Sequence, residues 1–184
     1  VRNQGVLSNP VRFALDTQPD CRETEPNETP DTAQPLELPM IVNGRIERAG
    51  DEDGFRFAGK AGGEIIAEIF ARRLGSPLDS VLKLTDATGR QLAINDDYED
   101  KGAGLTTHHA DSRLSVTLPE DGAYYVRVAD AQHRGGPEFG YRLRVGPPRP
   151  DFELRVVPST INARAGTHVP ITVYALRRDG FNGE

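Results

Sequence analysis

The clearest fold signal in the chain is a strand–turn–strand pattern, RLSVTLPEDGAYYVRVA at residues 113–129. Two runs rich in β-branched and aromatic residues flank Pro119-Glu120-Asp121-Gly122, a sequence typical of tight turns. A hairpin is predicted here, and another around Asp86-Ala87-Thr88-Gly89, where Gly89 can adopt the left-handed conformation that closes the turn. Regularly spaced strands of this kind are typical of a β-sandwich or a β-barrel.

Other segments extend the strand pattern in both directions. The near-continuous apolar run 64–70 predicts a strand that is buried on both faces. Alternation of apolar with polar residues predicts strands with one buried face at Val11, Phe13 and Leu15 and at Tyr141, Leu143 and Val145. No long window shows apolar residues at helical spacing free of Gly or Pro, so the chain is predicted to be all-β.

Composition excludes several classes of protein. The 184 residues include 22 Lys+Arg and 28 Asp+Glu, giving a formal net charge of −6. A general nucleic-acid binder or a binder of anionic membranes needs a basic face, so neither partner is expected. No stretch approaches the roughly 20 apolar residues that span a bilayer. The single cysteine, Cys21, has no partner for an intrachain disulfide.

Two proline-rich stretches, 16–39 and 146–150, are predicted to be linkers. The predicted division is therefore the end of a preceding β domain or a linker at 1–20, a β-sandwich at 21–147, and a linker with the truncated start of an Ig-like β domain at 148–184. The alternative is that both flanking pieces are edge strands of one sandwich. Because the chain does not begin with methionine, we expect it to be part of a longer protein.

Acidic residues gather in two short segments that precede predicted strands. In the first, Pro26 favours an extended backbone, which places Glu23, Glu25 and Asn27 on one side. The second segment is GDEDG at residues 50–54, in which Asp51 and Asp53 face the same way. A hard cation that takes about six to eight oxygen ligands would offset the repulsion between such carboxylates. The alternative is that these side chains are simply solvated.

A third acidic segment follows the predicted hairpin. It predicts either a second cation site or a turn whose side chains bond to their own backbone; its residues are Asn95, Asp96 and Asp97. Neighbouring histidines, His108 and His109, would point to opposite faces of a strand and are predicted to be surface residues rather than zinc ligands. The chain contains no nucleophile elbow, phosphate-binding loop or dinucleotide fingerprint, so no enzyme is predicted.

Six segments taken in order resemble one family. They are ETEPNET at 23–29, NGRI at 43–46, GDEDGFRF at 50–57, DSVLKL at 79–84, LAINDD at 92–97 and DGAYYVRV at 121–128. Together they resemble the bacterial pre-peptidase C-terminal (PPC) domain family over about residues 21–147. The resemblance implies a jelly-roll-like β-sandwich, with flanking strands from neighbouring β domains, that is not catalytic and sits beside secreted peptidases.

The resemblance also implies a calcium site. In collagenase relatives, acidic residues of the N-terminal segment and of the turn before the Phe-x-Phe strand bind Ca²⁺. Carried over by position, the ligands would be Glu23, Glu25, Asn27, Glu28, Asp51 and Asp53. Two positions depart from the family pattern, because Glu28 stands where Asp is common and Gly54 stands where Tyr is frequent.

The predicted function is that of a non-catalytic accessory β-sandwich module within a larger secreted, cell-surface or periplasmic protein. Calcium would stabilise it, and it would space domains and bind a macromolecule. The expected partners are neighbouring domains of the same chain and a protein or polysaccharide ligand. Two alternatives are a carbohydrate-binding module and a fragment that supports a peptidase or hydrolase domain elsewhere in the parent protein.

Overall fold

The computed structural model describes residues 2–3, 6–7, 12, 14–99, 108–109, 111–158 and 160–184. The strands are β1 (Arg2–Asn3), β2 (Val6–Leu7), β3 (Asp20–Arg22), β4 (Gln34–Pro35), β5 (Met40–Arg45), β6 (Glu52–Gly59), β7 (Glu64–Phe70), β8 (Ser80–Asp86), β9 (Gln91–Asn95), β10 (Tyr98–Glu99), β11 (His108–His109), β12 (Arg113–Thr117), β13 (Gly122–Asp130), β14 (Gly140–Gly146), β15 (Asp151–Val157) and β16 (Thr172–Arg178). The helical element of the described residues is a 3₁₀ turn, Arg72–Leu74. None of their helices is long and apolar enough to cross a membrane.

The described residues divide into two compact units. The first is drawn from Val1–Tyr98 and His109–Pro147, and the second from Glu99–His108 and Pro148–Glu184. In the first unit, sheet I has five strands in the order β12-β7-β14-β5-β3, and sheet II has five in the order β4-β6-β13-β8-β9. One hydrophobic core lies between them, with Ile69 and Leu143 from sheet I and Phe55 and Val126 from sheet II. The predicted all-β sandwich is therefore confirmed.

Alternation of side chains builds this core. In β6, Phe55 and Phe57 point inward while Arg56 is exposed, as a period of two requires. Phe57 stacks on Tyr124 of the neighbouring strand β13, with ring centroids 5.8 Å apart. The predicted hairpin at β8 and β9 is present, and Gly89 has a φ of 83° at its turn.

The hairpin predicted at residues 113–129 is wrong. Strand β12 pairs with β7 in sheet I, whereas β13 pairs with β6 and β8 in sheet II. The connection therefore crosses from one sheet to the other. Leu118 is buried at the crossing, and its backbone exchanges hydrogen bonds with Gly62 and Gly63 at 2.8 and 2.9 Å rather than with the next strand.

The predicted linker 16–39 is in part a structural element of the sandwich. Its strand β3 runs parallel to β5 at the edge of sheet I, and β4 runs parallel to β6 at the edge of sheet II. Strands of two or three residues are too short to show a period of two, so the sequence did not reveal them. Leu15, placed in a strand by prediction, is 87% exposed and outside any strand. Val11 and Phe13 lie outside the described residues.

The second unit contains an antiparallel ribbon of β15 and β16. Alternate residues Phe152, Leu154 and Val156 are exposed on one side of β15. The other side carries ion pairs of Glu153 with Arg155 and Arg178 at 3.0 and 3.2 Å. The Ig-like domain expected to begin in residues 148–184 stays a prediction.

Candidate metal centre

A strap of residues 23–33 closes the open side of the sandwich. It begins where β3 leaves sheet I and ends where β4 joins sheet II, so it crosses the gap between the two sheets. The Glu23 amide donates to Asn43 O at 3.1 Å, and the Thr24 amide donates to Gln34 Oε1 at 2.7 Å. These two bonds attach the first residues of the strap to β5 and β4.

Asn27 anchors the middle of the strap. Its side chain is fully buried, and its Oδ1 accepts a hydrogen bond from the Gly54 amide at 2.9 Å. Its Nδ2 donates to Glu25 Oε1 at 3.3 Å, which orients that carboxylate. A Cβ on residue 54 would lie 2.6 Å from Asn27 O, so glycine is needed there for the strap to pack. This chain therefore has glycine rather than the tyrosine frequent in the family at the point where the strap backbone packs against residue 54.

Three carboxylates converge behind the strap, and we call them the acidic trio: Glu23, Glu25 and Asp53. Each offers an oxygen, and these oxygens all lie within 4.8 Å of one another. Asp53 is fully buried, Glu23 is half-buried and Glu25 is exposed, so the trio leads from the surface to the interior. Two members come from the strap and the third from β6, 28 to 30 positions away in sequence.

Tyr141 of β14 contacts the buried side of the trio. Its hydroxyl lies 3.0 Å from Glu23 Oε2 and within hydrogen-bonding distance of Asp53 Oδ2. Since a hydroxyl carries one proton, it donates to one of these oxygens at a time. Glu23 Oε2 also accepts from the Arg45 amide at 2.7 Å. Gly44 makes room for this arrangement, because a Cβ there would overlap Glu23 Oε2 and the Tyr141 ring.

The electrostatics of the trio are uncompensated. Burial raises the pKa of Asp53 to about 9 and also raises the pKa values of Glu23 and Glu25. Burial, together with the neighbouring Asp53, holds the pKa of Tyr141 well above its usual range. Within the described part of the chain, no Lys or Arg forms an ion pair with the trio, and buried Asp53 Oδ1 has no hydrogen-bond partner. Such a group must hold a proton or face a cation.

The donor set fits a hard cation. All three side chains offer carboxylate oxygens, the ligands that Ca²⁺ takes, and no His or Cys belongs to the group. The unpartnered Oδ1 of Asp53 is an oxygen that a bound ion would satisfy.

The remaining predicted ligands have protein partners of their own. Glu28 Oε1 pairs with Arg48 at 2.9 Å, and its Oε2 accepts from the Asn27 amide at 3.1 Å. Asp51 accepts from the Glu47 amide at 2.7 Å and has Arg48 Nε 3.7 Å away. Both carboxylates adjoin Glu25 closely enough to raise its pKa, after the larger effect of burial. They thus lie at the rim of the trio, with Arg48 between them.

The third acidic segment forms a turn bonded to its own backbone, which is one of the two structures predicted for it. Asn95 Nδ2 donates to Asp97 O at 2.9 Å, and the Asp97 amide donates to Asp96 Oδ1 at 3.0 Å. Asn95 Oδ1 accepts from the Arg113 amide at 2.8 Å, which ties the turn to sheet I. Among the described residues, the acidic trio is the group whose oxygens converge. The backbone of His108–His109 is strand β11, and these two side chains lie outside what the structure describes.

Sequence reasoning missed two members of the site, Tyr141 and Gly44. Tyr141 was assigned only to a buried strand face, since alternation does not distinguish a core tyrosine from one whose hydroxyl meets a carboxylate. Gly44 lay inside a segment used for family resemblance, without a role. A glycine within a predicted strand does signal a close approach of another group, and that signal was available.

This combination of a two-sheet sandwich and an acidic strap defines an all-β module, and sequence comparison identifies its family. Residues 51–130 match the family model of the bacterial pre-peptidase C-terminal domain. Over these residues the chain therefore matches the PPC domain family.

Known proteins that are similar to the chain include a protease and a domain of a collagenase. Over 126 residues, 65% of its length, it is 37% identical to a probable subtilase-type serine protease of Deinococcus radiodurans, and it spans 15% of that relative. The crystal structure of the PPC domain of a collagenase from Bacillus anthracis is also similar, at 17% identity and a TM-score of 0.43, covering 67% of this chain and 99% of that one.

Proposed function

We propose that this PPC domain is a non-catalytic accessory module of a larger secreted or cell-surface protein that contains a peptidase. We further propose that Ca²⁺ bound by the acidic trio fastens the strap across the sandwich. The observation that carries the calcium proposal is the buried, unpartnered Oδ1 of Asp53 beside two further carboxylates. The similarity to a subtilase-type protease supports the association with a peptidase and the extracellular location.

Calcium would act here by joining elements that are distant in sequence. Glu23 and Glu25 belong to the strap and Asp53 to β6 of sheet II, while Tyr141, which contacts the trio, belongs to sheet I. A cation held by these oxygens would neutralise their mutual repulsion and connect the strap to both sheets. Because only the folded chain presents the three oxygens together, binding would stabilise the fold.

The rim residues would complete a coordination shell at small cost. Glu28 and Asp51 are held by Arg48, whose side chain is 73% exposed. Exposed ion pairs contribute little to stability, so a cation can displace this guanidinium readily. Five carboxylates and the Asn27 amide would then surround the ion, which is the ligand set implied by the family resemblance.

The carbohydrate-binding alternative finds less support in the geometry. Stacking on sugars needs exposed aromatic rings, but Tyr124, Phe139 and Tyr141 are buried in the sandwich. Tyr125 of β13 is partly exposed. The module interpretation is therefore favoured. Hydrolytic activity of the 184-residue chain would overturn the non-catalytic proposal and favour the alternative of a hydrolase fragment.

Thermal unfolding with and without calcium tests the proposal. In EDTA the chain should melt at a lower temperature than in millimolar calcium, and magnesium should replace calcium poorly because it demands a tighter geometry. The variant Glu25→Gln should lose most of the calcium-dependent rise. Glu37→Gln, an exposed glutamate outside the trio, should keep it. An equal rise in both variants, or none in the unmodified chain, would contradict the proposal.

A further inference from the structure

The outer face of sheet II carries a patch that the proposed function does not use. We call it the basic face and define it by Arg56, Lys83, Tyr125, Arg127 and Ile94. The inward neighbours of these residues, such as Phe55, Leu82 and Val126, are buried in the core, so the alternation places the five on the outer side. Strand register sets them side by side: Arg56 pairs with Tyr125, Arg127 with Lys83, and Lys83 with Ile94.

The charges of this face run against those of the whole chain. Arg127 and Lys83 are direct cross-strand partners, an arrangement of like charges that destabilises a sheet. Glu52 pairs with Arg127 at 2.9 Å. Among the described residues, neither Arg56 nor Lys83 has an acidic partner. The chain as a whole carries a formal net charge of −6, so the patch is a local reversal of sign.

Apolar side chains lie among these cations. Ile94 is 54% exposed and pairs with Lys83, and Tyr125 is partly exposed beside Arg56. Tyrosine and arginine are enriched at protein–protein interfaces, where apolar contacts at the centre accompany charges at the rim. A polyanion such as a sulfated glycan would use the cations but would leave Ile94 and the tyrosine ring without a partner.

We propose that the basic face binds an acidic polypeptide segment whose apolar side chains alternate with its carboxylates. Arg56 and Lys83 attract the carboxylates, and Ile94 and Tyr125 contact the side chains between them. Charge complementarity of this kind sets partner choice and the rate of association. The basic face lies on the outer surface of sheet II, whereas the acidic trio lies on the inner side, behind the strap. The two sites therefore act independently.

Fluorescence anisotropy of a labelled peptide that alternates glutamate with leucine provides the test, with the 184-residue chain in calcium buffer. The unmodified chain should bind the peptide, more weakly as salt increases. The double variant Arg56→Glu, Lys83→Glu should bind at least about tenfold more weakly. The control Lys60→Glu, Arg72→Glu makes the same change in net charge at exposed cations outside the face and should bind like the unmodified chain.

Folding is not expected to confuse the result, because Lys83→Glu places an opposite charge beside Arg127 and should stabilise the sheet. The milder variant Arg56→Ala, Lys83→Ala should show an intermediate loss. Absence of peptide binding, an equal loss in the control variant, or tighter binding of heparin than of the peptide would each overturn the proposal. Because the calcium response is measured separately by thermal unfolding, failure of one site is distinguishable from failure of the other.

Discussion

Four of the five buried aspartates that the structure describes in this sandwich fall into two groups with opposite electrostatics. Asp86, Asp111 and Asp130 each accept hydrogen bonds from backbone amides and pair with an arginine: Arg90, Arg73 and Arg134 at 2.8, 2.7 and 3.1 Å. Asp53 is equally buried but has two glutamates and a tyrosine for neighbours, with one oxygen unpartnered. The first three aspartates cap turns, whereas Asp53 lies in a cluster of acidic side chains.

Their pKa values express the difference. Hydrogen bonds from Thr88 and Arg90 lower the pKa of Asp86 to about 2, whereas burial raises that of Asp53 to about 9. Burial also opposes ionisation of Asp130, but the hydrogen bonds of Arg134 and the backbone outweigh it and lower its pKa. A buried carboxylate is therefore not by itself a sign of function. What distinguishes the trio is that the described part of the chain supplies it no compensating cation.

The largest effect is expected at a turn cap. Asp111→Ala should destabilise the fold by about 3–5 kcal/mol, because it removes hydrogen bonds to three amides and leaves Arg73 without its closest carboxylate. Urea unfolding should show the same loss with and without calcium. The exposed Asp121→Ala, which removes a single bond to the Ala61 amide, should cost much less. If the loss of unfolding free energy in Asp111→Ala depended on calcium, Asp111 would not differ from Asp53 in the way proposed.

A smaller and conditional effect is expected in the trio. Asp53→Asn should not destabilise the fold in EDTA and should stabilise it near neutral pH, because the folded apo protein keeps Asp53 protonated whereas the unfolded chain ionises it. In calcium at a hundredfold its dissociation constant, the variant should lack the stabilisation of about 2.7 kcal/mol that binding confers. The same urea experiment measures both values. Equal destabilisation in EDTA and in calcium would show that Asp53 is structural, like Asp111.

The pH dependence should have opposite signs in the two groups. In EDTA, the contribution from Asp53 should be fully present below about pH 4, the unfolded pKa, and lost as pH rises towards 9. That from Asp86 should be present above about pH 4 and lost as pH falls towards 2. Unfolding free energies of Asp53→Asn and Asp86→Asn, subtracted from those of the unmodified chain across pH, isolate each term. Curves of the same sign would contradict the assignment.

The smallest effect is expected at Arg48, which pairs with both rim carboxylates. Arg48→Ala should strengthen calcium binding a few-fold because the ion no longer displaces a guanidinium, and it should alter stability in EDTA by less than about 1 kcal/mol. Titration calorimetry gives the affinity directly. Arg45→Ala, which removes an exposed pair with Glu47, is the matched control. Weaker calcium binding in Arg48→Ala alone would show that the arginine supports the site.

Periodicity was sufficient to predict an all-β sandwich or barrel, because residues such as Phe55, Phe57 and Val126 alternate with polar ones, and the family resemblance favoured the sandwich. It did not reveal that residues 113–130 cross between sheets, since a turn sequence specifies a reversal and not the partner of each strand. The strap was misassigned as a linker because its strands β3 and β4 are stabilised by parallel pairing with distant strands.

Residue spacing also predicted part of the candidate site. An extended backbone around Pro26 accounts for placing Glu23 beside Glu25, and the acidic turn at residues 50–54 supplied Asp53 before the resemblance was considered. The role of Tyr141 and the involvement of Arg48 depend on contacts between strands far apart in sequence, which spacing does not encode. Whether the six predicted ligands bind calcium stays a prediction.

A crystal structure of the chain grown with calcium tests the central claim most directly. The account predicts an ion about 2.3–2.6 Å from oxygens of Glu23, Glu25 and Asp53, including the Oδ1 atom that now has no partner. Arg48 should have moved away from Glu28 and Asp51. Water or a shared proton among the three carboxylates, with calcium bound elsewhere or not at all, would contradict it.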